Sequence, residues 1–160
     1  MRIAVIGGTG KEGRGLAVRW AAAGHEVVVG SRDGARAAAA AEELSALAGS
    51  RVAGSDNTAA VEGAEVVLIS VPYAAHGETL RSLQPQLEGR IVVDITVPLK
   101  PPTVAEVHLP AGQSAALEAQ AILGSGVKLV AALHHVSSTQ LIDPKKEIDC
   151  DVLVDRKSVV

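Results

Sequence analysis

The stretch V-I-G-G-T-G-K-E-G-R-G, Val5 to Gly15, holds five glycines in eleven residues and follows directly on the apolar run Ile3-Ala4-Val5-Ile6. Ordering a glycine costs more backbone entropy than ordering any other residue, so such a density points to a backbone that must be thin and sharply turned. Within the stretch, Gly8-x-Gly10-x-x-Gly13 matches G-x-G-x-x-G, and the flanks predict a strand over 2–6 and a helix over 11–23. A glycine loop that leaves a strand and opens a helix is the fingerprint of dinucleotide binding. The first glycine is expected to make the tight turn and the second to let a pyrophosphate reach the backbone. The third lets helix and strand pack closely, and the helix N-terminus offers free N–H groups to the phosphates. A phosphate loop of the G-x-x-x-x-G-K-[ST] kind is excluded, because no Gly-Lys-Ser/Thr occurs.

Outward from the loop, β-branched runs alternate with helix formers. Strands are predicted over 26–30, 51–53, 64–71, 90–95, 127–132 and 151–154. Helices are predicted over 34–48, 57–62 (capped by Asp56), 74–87 and 114–123, with a Pro-rich extended or loop stretch over 97–102. Continuous Val/Ile strands are buried on both faces, as in a parallel sheet covered by helices. The expectation is an α/β fold with a doubly wound, mostly parallel sheet, a Rossmann-like dinucleotide-binding domain.

The end of the second strand bears on which nucleotide binds. A site for NAD usually places Asp or Glu there to hold the ribose 2′-hydroxyl. This chain reads Gly30-Ser31-Arg32-Asp33, with Arg36 one turn further on. A hydroxyl and two guanidiniums can grip a 2′-phosphate through charge-assisted hydrogen bonds, which favours NADP. Asp33 fits best as the N-cap of the second helix. The alternative, in which Arg32 and Arg36 only solvate a helix start, stays open.

The 160 residues suit one domain; they are 48% hydrophobic and 21% charged, with a single Trp, a single Tyr and no Phe, so the core is aliphatic. A net charge of −3 suggests neither a nucleic-acid nor a membrane partner. The apolar runs are shorter than the roughly 20 residues of a membrane span, and the early glycines argue against a signal peptide. With Cys150 alone, no internal disulfide can form, which fits a reducing cytoplasm. The Asp149-Cys150-Asp151 setting reads as a strand entry, and no metal constellation is expected.

M-R-I-A-V-I-G-G-T-G-K-E-G-R-G-L-A-V-R-W-A-A-A-G-H-E-V-V-V-G-S-R-D closely resembles the start of the coenzyme F420-dependent NADP reductases. The resemblance continues through V-V-L-I-S-V-P-Y-A-A-H, V-D-I-T-V-P-L and K-L-V-A-A-L-H-H-V-S-S to D-C-D-V-L-V, covering about 1–154. It implies hydride transfer between NADP and the deazaflavin coenzyme F420 as co-substrate. Gly8, Thr9, Gly10, Lys11, Glu12 and Gly13 would then form the pyrophosphate loop, and Ser31, Arg32 and Arg36 the 2′-phosphate pocket. Val71, Pro72 and Tyr73 would lie beside the ribose and nicotinamide, and His134, His135, Val136 and Ser137 would line the deazaflavin. Where the family can read His-Thr-Ile-Pro, this chain reads His-His-Val-Ser.

In such a reaction both cofactors carry the chemistry, and the protein need only stack them, so no catalytic triad is required. Direct roles for His76, His134 or His135, or for Tyr73 as an acid, are weaker expectations. The family continues into a C-terminal helical region that supplies part of the deazaflavin site and much of a homodimer contact. This chain instead ends in D-R-K-S-V-V, so 1–154 is expected to be the NADP-binding domain and 155–160 a tail outside the family pattern. Self-association through apolar surface near the last strands is expected in consequence. The alternatives are an NADP-binding domain without turnover, an NmrA-like redox sensor, or a reductase with a flavin or ferric acceptor. Short-chain dehydrogenase catalysis is excluded, because the only tyrosine, Tyr73, has Gly77 where a Tyr-x-x-x-Lys pair needs lysine.

Overall fold

The computed structural model of the chain describes residues 1–100, 102 and 108–156. Thirteen elements follow in order: β1 (Arg2–Ile6), α1 (Lys11–Ala22), β2 (Glu26–Ser31), α2 (Gly34–Ala48), β3 (Val52–Asp56), α3 (Asn57–Val61), β4 (Val66–Ile69), α4 (Tyr73–Leu87), β5 (Ile91–Asp94), α5 (Ala115–Leu123), β6 (Lys128–Ala132), α6 (Ser138–Leu141) and β7 (Val154–Arg156). The strands form one sheet in the order β3-β2-β1-β4-β5-β6-β7. All pairs are parallel except β6–β7, which is antiparallel. This is the doubly wound arrangement expected from the alternation of Val/Ile runs with helix formers.

The two-residue period of the strands divides the core into two layers. From β1, Ala4 and Ile6 join Val67, Ile69, Leu80, Leu83 and Leu123 on one face, under α3, α4 and α5. Ile3 and Val5 join Val27, Val29, Leu16, Leu44, Val136 and Leu141 on the other, under α1, α2 and α6. Each fully buried aliphatic side chain contributes about 1.5–3 kcal/mol relative to exposure. Both layers therefore draw on the same central strands, whose residues are shared alternately between them.

Two predicted elements differ, and a third element appears without having been predicted. The third strand runs to Asp56 rather than ending at 53, because Gly54 and Ser55 pair in parallel with Val29 and Gly30. The last strand is Val154–Arg156 rather than 151–154, and it includes Asp155 and Arg156 from the expected tail. Residues 157–160 lie outside the described residues, as does Pro101 of the Pro-rich stretch. The short helix α6 was not predicted; four residues carry too little periodicity to read. Among the described residues, no helix is long and apolar enough to cross a membrane.

Candidate functional site at the carboxyl edge of the sheet

Helix α1 packs on one face of the sheet and α4 on the other, although β1 and β4 are neighbours. The chain therefore parts in opposite directions beyond Ile6 and Ile69, and this switch point opens a crevice at the carboxyl ends of the strands. The glycine loop lies there. Gly7 has φ +82°, its N–H donates to Gly30 O at 3.1 Å, and the Gly10 N–H donates to Gly7 O at 2.8 Å. Gly7 carries the positive φ of the tight turn, and Gly8 closes it, its N–H donating to Val5 O at 3.1 Å. Gly8 also provides clearance, since a Cβ there would sit 2.7 Å from Val29 Cβ. The third motif glycine has the expected role: a Cβ on Gly13 would lie 2.5 Å from Ser70 Oγ and 2.8 Å from Gly7 O. Ser70, not singled out in the sequence, ties the two diverging strands together through Oγ–H donated to Ile6 O at 2.8 Å.

Gly10 is the N-cap of α1 and offers no side chain to cap it. Among the described residues the amides of Thr9, Lys11 and Glu12 find no acceptor, and Lys11 is exposed without an ion pair. Uncapped N–H groups at a helix start attract an anion. The Glu12 carboxylate points elsewhere: its Oε1 accepts from Ser138 N–H at 3.0 Å.

At the end of β2, Asp33 caps α2 as expected, its Oδ1 accepting from Arg36 N–H at 3.2 Å. Ser31 Oγ accepts from Asp33 N–H at 3.2 Å. The Arg32 and Arg36 side chains are exposed and make no ion pair among the described residues. Two free guanidiniums and a hydroxyl therefore stand together where a carboxylate would select an unphosphorylated ribose.

Beyond β4, Val71 and Pro72 lead into Tyr73, the first residue of α4. The Tyr73 hydroxyl donates to Glu118 Oε2 at 2.8 Å, and Glu118 Oε1 accepts from Gly112 N–H at 3.1 Å. That hydrogen bond, then burial and the charge of Glu118, raise the Tyr73 pKa above its ordinary 10.0. A phenol so held is a weaker acid than a free one, and its proton is committed to Glu118. His76 is removed from any contact with a bound deazaflavin, because it is 1% exposed and its Nε2–H donates to the equally buried Asp94 Oδ2 at 2.8 Å. Asp94 Oδ1 also accepts from Thr96 N–H at 3.0 Å, so the pair fastens α4 to the end of β5.

Beyond β6, Leu133 adopts φ +63°, a costly conformation for a branched residue. A turn follows, closed by Val136 N–H donated to Leu133 O at 3.3 Å. His134 and His135 stand exposed on it, and His135 Nε2–H donates to Asp151 O at 2.5 Å. Val136, expected to line an acceptor with them, is 7% exposed and packs in the α1–α2–α6 layer, so it anchors the turn instead of facing outward.

The parallel sheet thus brings the glycine loop, Ser31-Arg32-Arg36, Val71-Pro72-Tyr73 and His134-His135 to one edge, each at the carboxyl end of a different strand. Besides Ser70, two contributors escaped the sequence. A Cβ on Gly15 would collide with Leu141 Cβ, so the fifth glycine of the opening stretch serves α6 rather than a ligand. Arg19 donates through Nε to Leu141 O at 2.9 Å, and through Nη2 to the carbonyls of Gln140 (2.9 Å), Asp143 (2.7 Å) and Lys146 (2.7 Å). Only Gly15, a glycine without a role in the motif, left a readable trace.

Comparison with known proteins agrees with this arrangement. The family model described as "NADP oxidoreductase coenzyme F420-dependent" matches residues 2–98. The chain is 38% identical to the F420-dependent NADP reductase of Methanothermobacter thermautotrophicus over 96% of its own length and 69% of that protein's. It is 34% identical to the F420-dependent NADP reductase of Methanocaldococcus jannaschii, covering 96% and 72% respectively. Among solved structures, glycerol-3-phosphate dehydrogenase from Coxiella burnetii superposes with a TM-score of 0.65 at 20% identity, over 88% of this chain and 43% of the other, and so shares the fold. With the family model spanning most of the chain and curated relatives above 30% identity, this protein belongs to the coenzyme F420-dependent NADP oxidoreductase family.

Proposed function

We propose that the chain transfers hydride between NADP(H) and the deazaflavin coenzyme F420. The observation that carries the reading is the pairing of an uncapped α1 N-terminus with Arg32 and Arg36, which are exposed and without an ion pair among the described residues, along one carboxyl edge. The residues fit a phosphorylated dinucleotide. The backbone amides of Thr9, Lys11 and Glu12 would receive the pyrophosphate, with the Lys11 side chain beside them, while Ser31, Arg32 and Arg36 would hold the 2′-phosphate. Glu12 contributes its N–H alone, since its carboxylate is bound to Ser138. Val71, Pro72 and Tyr73 would border the ribose and nicotinamide, and His134 and His135 the acceptor. When bound, the nicotinamide and the deazaflavin supply the hydride chemistry. The chain's part is to bind them, orient them face to face and exclude water, which needs no proton relay. A cytoplasmic setting and a homodimer belong to the same reading.

The test mixes the chain with NADPH and oxidised F420 and follows the deazaflavin absorbance. Loss of that absorbance with turnover supports hydride transfer. Tight NADPH binding without turnover assigns the chain to dinucleotide loading alone, and absence of NADPH binding overturns the reading.

A further inference from the structure

We propose that Glu12 is a positioning residue that couples the glycine loop to the acceptor-side turn. The proposal rests on the functional reading above and deepens it. Glu12, Gly15 and Arg19 lie at i, i+3 and i+7 of α1, on one stripe of the helix. All three face the segment after β6. Glu12 Oε1 accepts from Ser138 N–H at the start of α6, Gly15 leaves room for Leu141, and Arg19 collects four carbonyls between Gln140 and Lys146. From below, Val136 and Leu141 are buried in the core layer that α1 covers. The exposed His134-His135 turn, entered through the strained Leu133, is therefore placed by α1 rather than by its own local preferences.

Glu12 differs from the other two in its location. It is the second residue of α1, inside the turn whose free N–H groups favour an anion. A phosphate arriving there has the same charge as the Glu12 carboxylate. Repulsion then favours the side-chain arrangement that points away from the ligand, and that arrangement is the one bonded to Ser138. Occupying the loop should thus tighten the turn that presents His134 and His135. This assigns Glu12 a role distinct from pyrophosphate contact: it links the two halves of the site without touching either reacting group.

Amide hydrogen exchange on the full chain tests this, with circular dichroism to check folding. Without ligand, Glu12→Ala should speed exchange across 134–141 by about tenfold, the loss of one charge-assisted hydrogen bond, while Glu12→Gln, which keeps an acceptor oxygen, should stay near wild type. Adding NADPH should slow exchange in both 7–13 and 134–141 of the wild type, but only in 7–13 of Glu12→Ala. In turnover, Glu12→Ala should raise the KM for F420 while leaving NADPH affinity within about twofold, with Glu12→Gln restoring most of the loss. Equal ligand-free exchange in wild type and Glu12→Ala overturns the proposal, and so does NADPH protection of 134–141 that persists in Glu12→Ala. If the wild type binds no NADPH, the functional reading and the coupling fall together, and the ligand-free comparison still decides whether Glu12 holds the turn.

Discussion

Gly15 of α1 and Leu141 of α6 meet so closely that a single methyl on Gly15 would overlap the Leu141 Cβ. Helix propensity alone says that Gly15→Ala stabilises α1, by about 1 kcal/mol. The contact opposes that gain. Overpacking is expected to cost about 1–3 kcal/mol before that gain is set against it, leaving the variant up to about 2 kcal/mol less stable by chemical denaturation. A variant about 1 kcal/mol more stable than the wild type, the full propensity gain, would show that α6 yields without penalty.

Arg32 and Arg36 set the choice of nucleotide in this reading, so each should matter for NADPH and not for NADH. Arg32→Ala is expected to weaken NADPH binding by about tenfold or more, the loss of a charge-assisted bond, with NADH affinity nearly unchanged. Titration of both nucleotides decides it. Weakened NADH binding with NADPH intact would reassign the strand end to the ribose hydroxyl.

Tyr73 is the only tyrosine of the chain, so its ionisation can be read directly from tyrosinate absorbance. The hydrogen bond to Glu118 raises its folded pKa above 10.0. A raised value means that the native state holds the proton more tightly than the unfolded one. The contribution to stability is therefore complete below pH 10.0 and is lost as pH climbs through the folded value. The titration midpoint should lie above 10.0 in the wild type and drop toward it in Glu118→Ala. A wild-type midpoint at or below 10.0 contradicts the contact.

His76 and Asp94 are both buried, and removing one partner strands the other in a dry interior. Asp94→Ala should cost about 1–3 kcal/mol, because the His76 Nε2–H and the Thr96 N–H both lose their acceptor. His76→Phe combined with Asp94→Leu should cost less than the sum of the single changes, because neither polar group is left behind. Strict additivity in denaturation experiments would mean that the two side chains do not act as a pair.

Near the last strand, Val152, Leu153 and Val154 are 41%, 76% and 68% exposed, and β7 has one unpaired edge among the described residues. Such an edge invites pairing with another chain. Light scattering is expected to show concentration-dependent self-association that Val154→Lys reduces. A monomer at all concentrations would exclude this edge as a contact.

The central strands and the glycine loop were legible because their signals are local. The Val/Ile runs of β1, β2 and β4 and the spacing of Gly8, Gly10 and Gly13 need no distant partner to be read. Asp33 and Asp56 were legible as caps for the same reason. The end of β3 was not, since Gly54, Ser55 and Asp56 have weak strand preference and are recruited by pairing with β2. The fate of His76 depends on Asp94 eighteen residues away, and that of Arg19 on Leu141 at a separation of 122. Val136 is the one aliphatic residue among polar neighbours, and the turn at Leu133 sends it inward and leaves His134 and His135 outside. The motif spacing marks the tight turn at Gly8 but not the positive φ within it, which falls on Gly7, one residue before the motif begins.

The region matched by the family model ends at residue 98, but the α1 stripe of Glu12, Gly15 and Arg19 finds its partners between 138 and 146. The first half of the chain is therefore not a transplantable cassette. A chimera joining residues 2–98 to the later half of a relative would inherit one side of a fitted joint. It would preserve the glycine loop and still misplace the turn opposite, unless the foreign half carried a small-residue clearance and carbonyl array of the same shape. Recombination within this family is accordingly expected to succeed where α1 and the segment after β6 travel together.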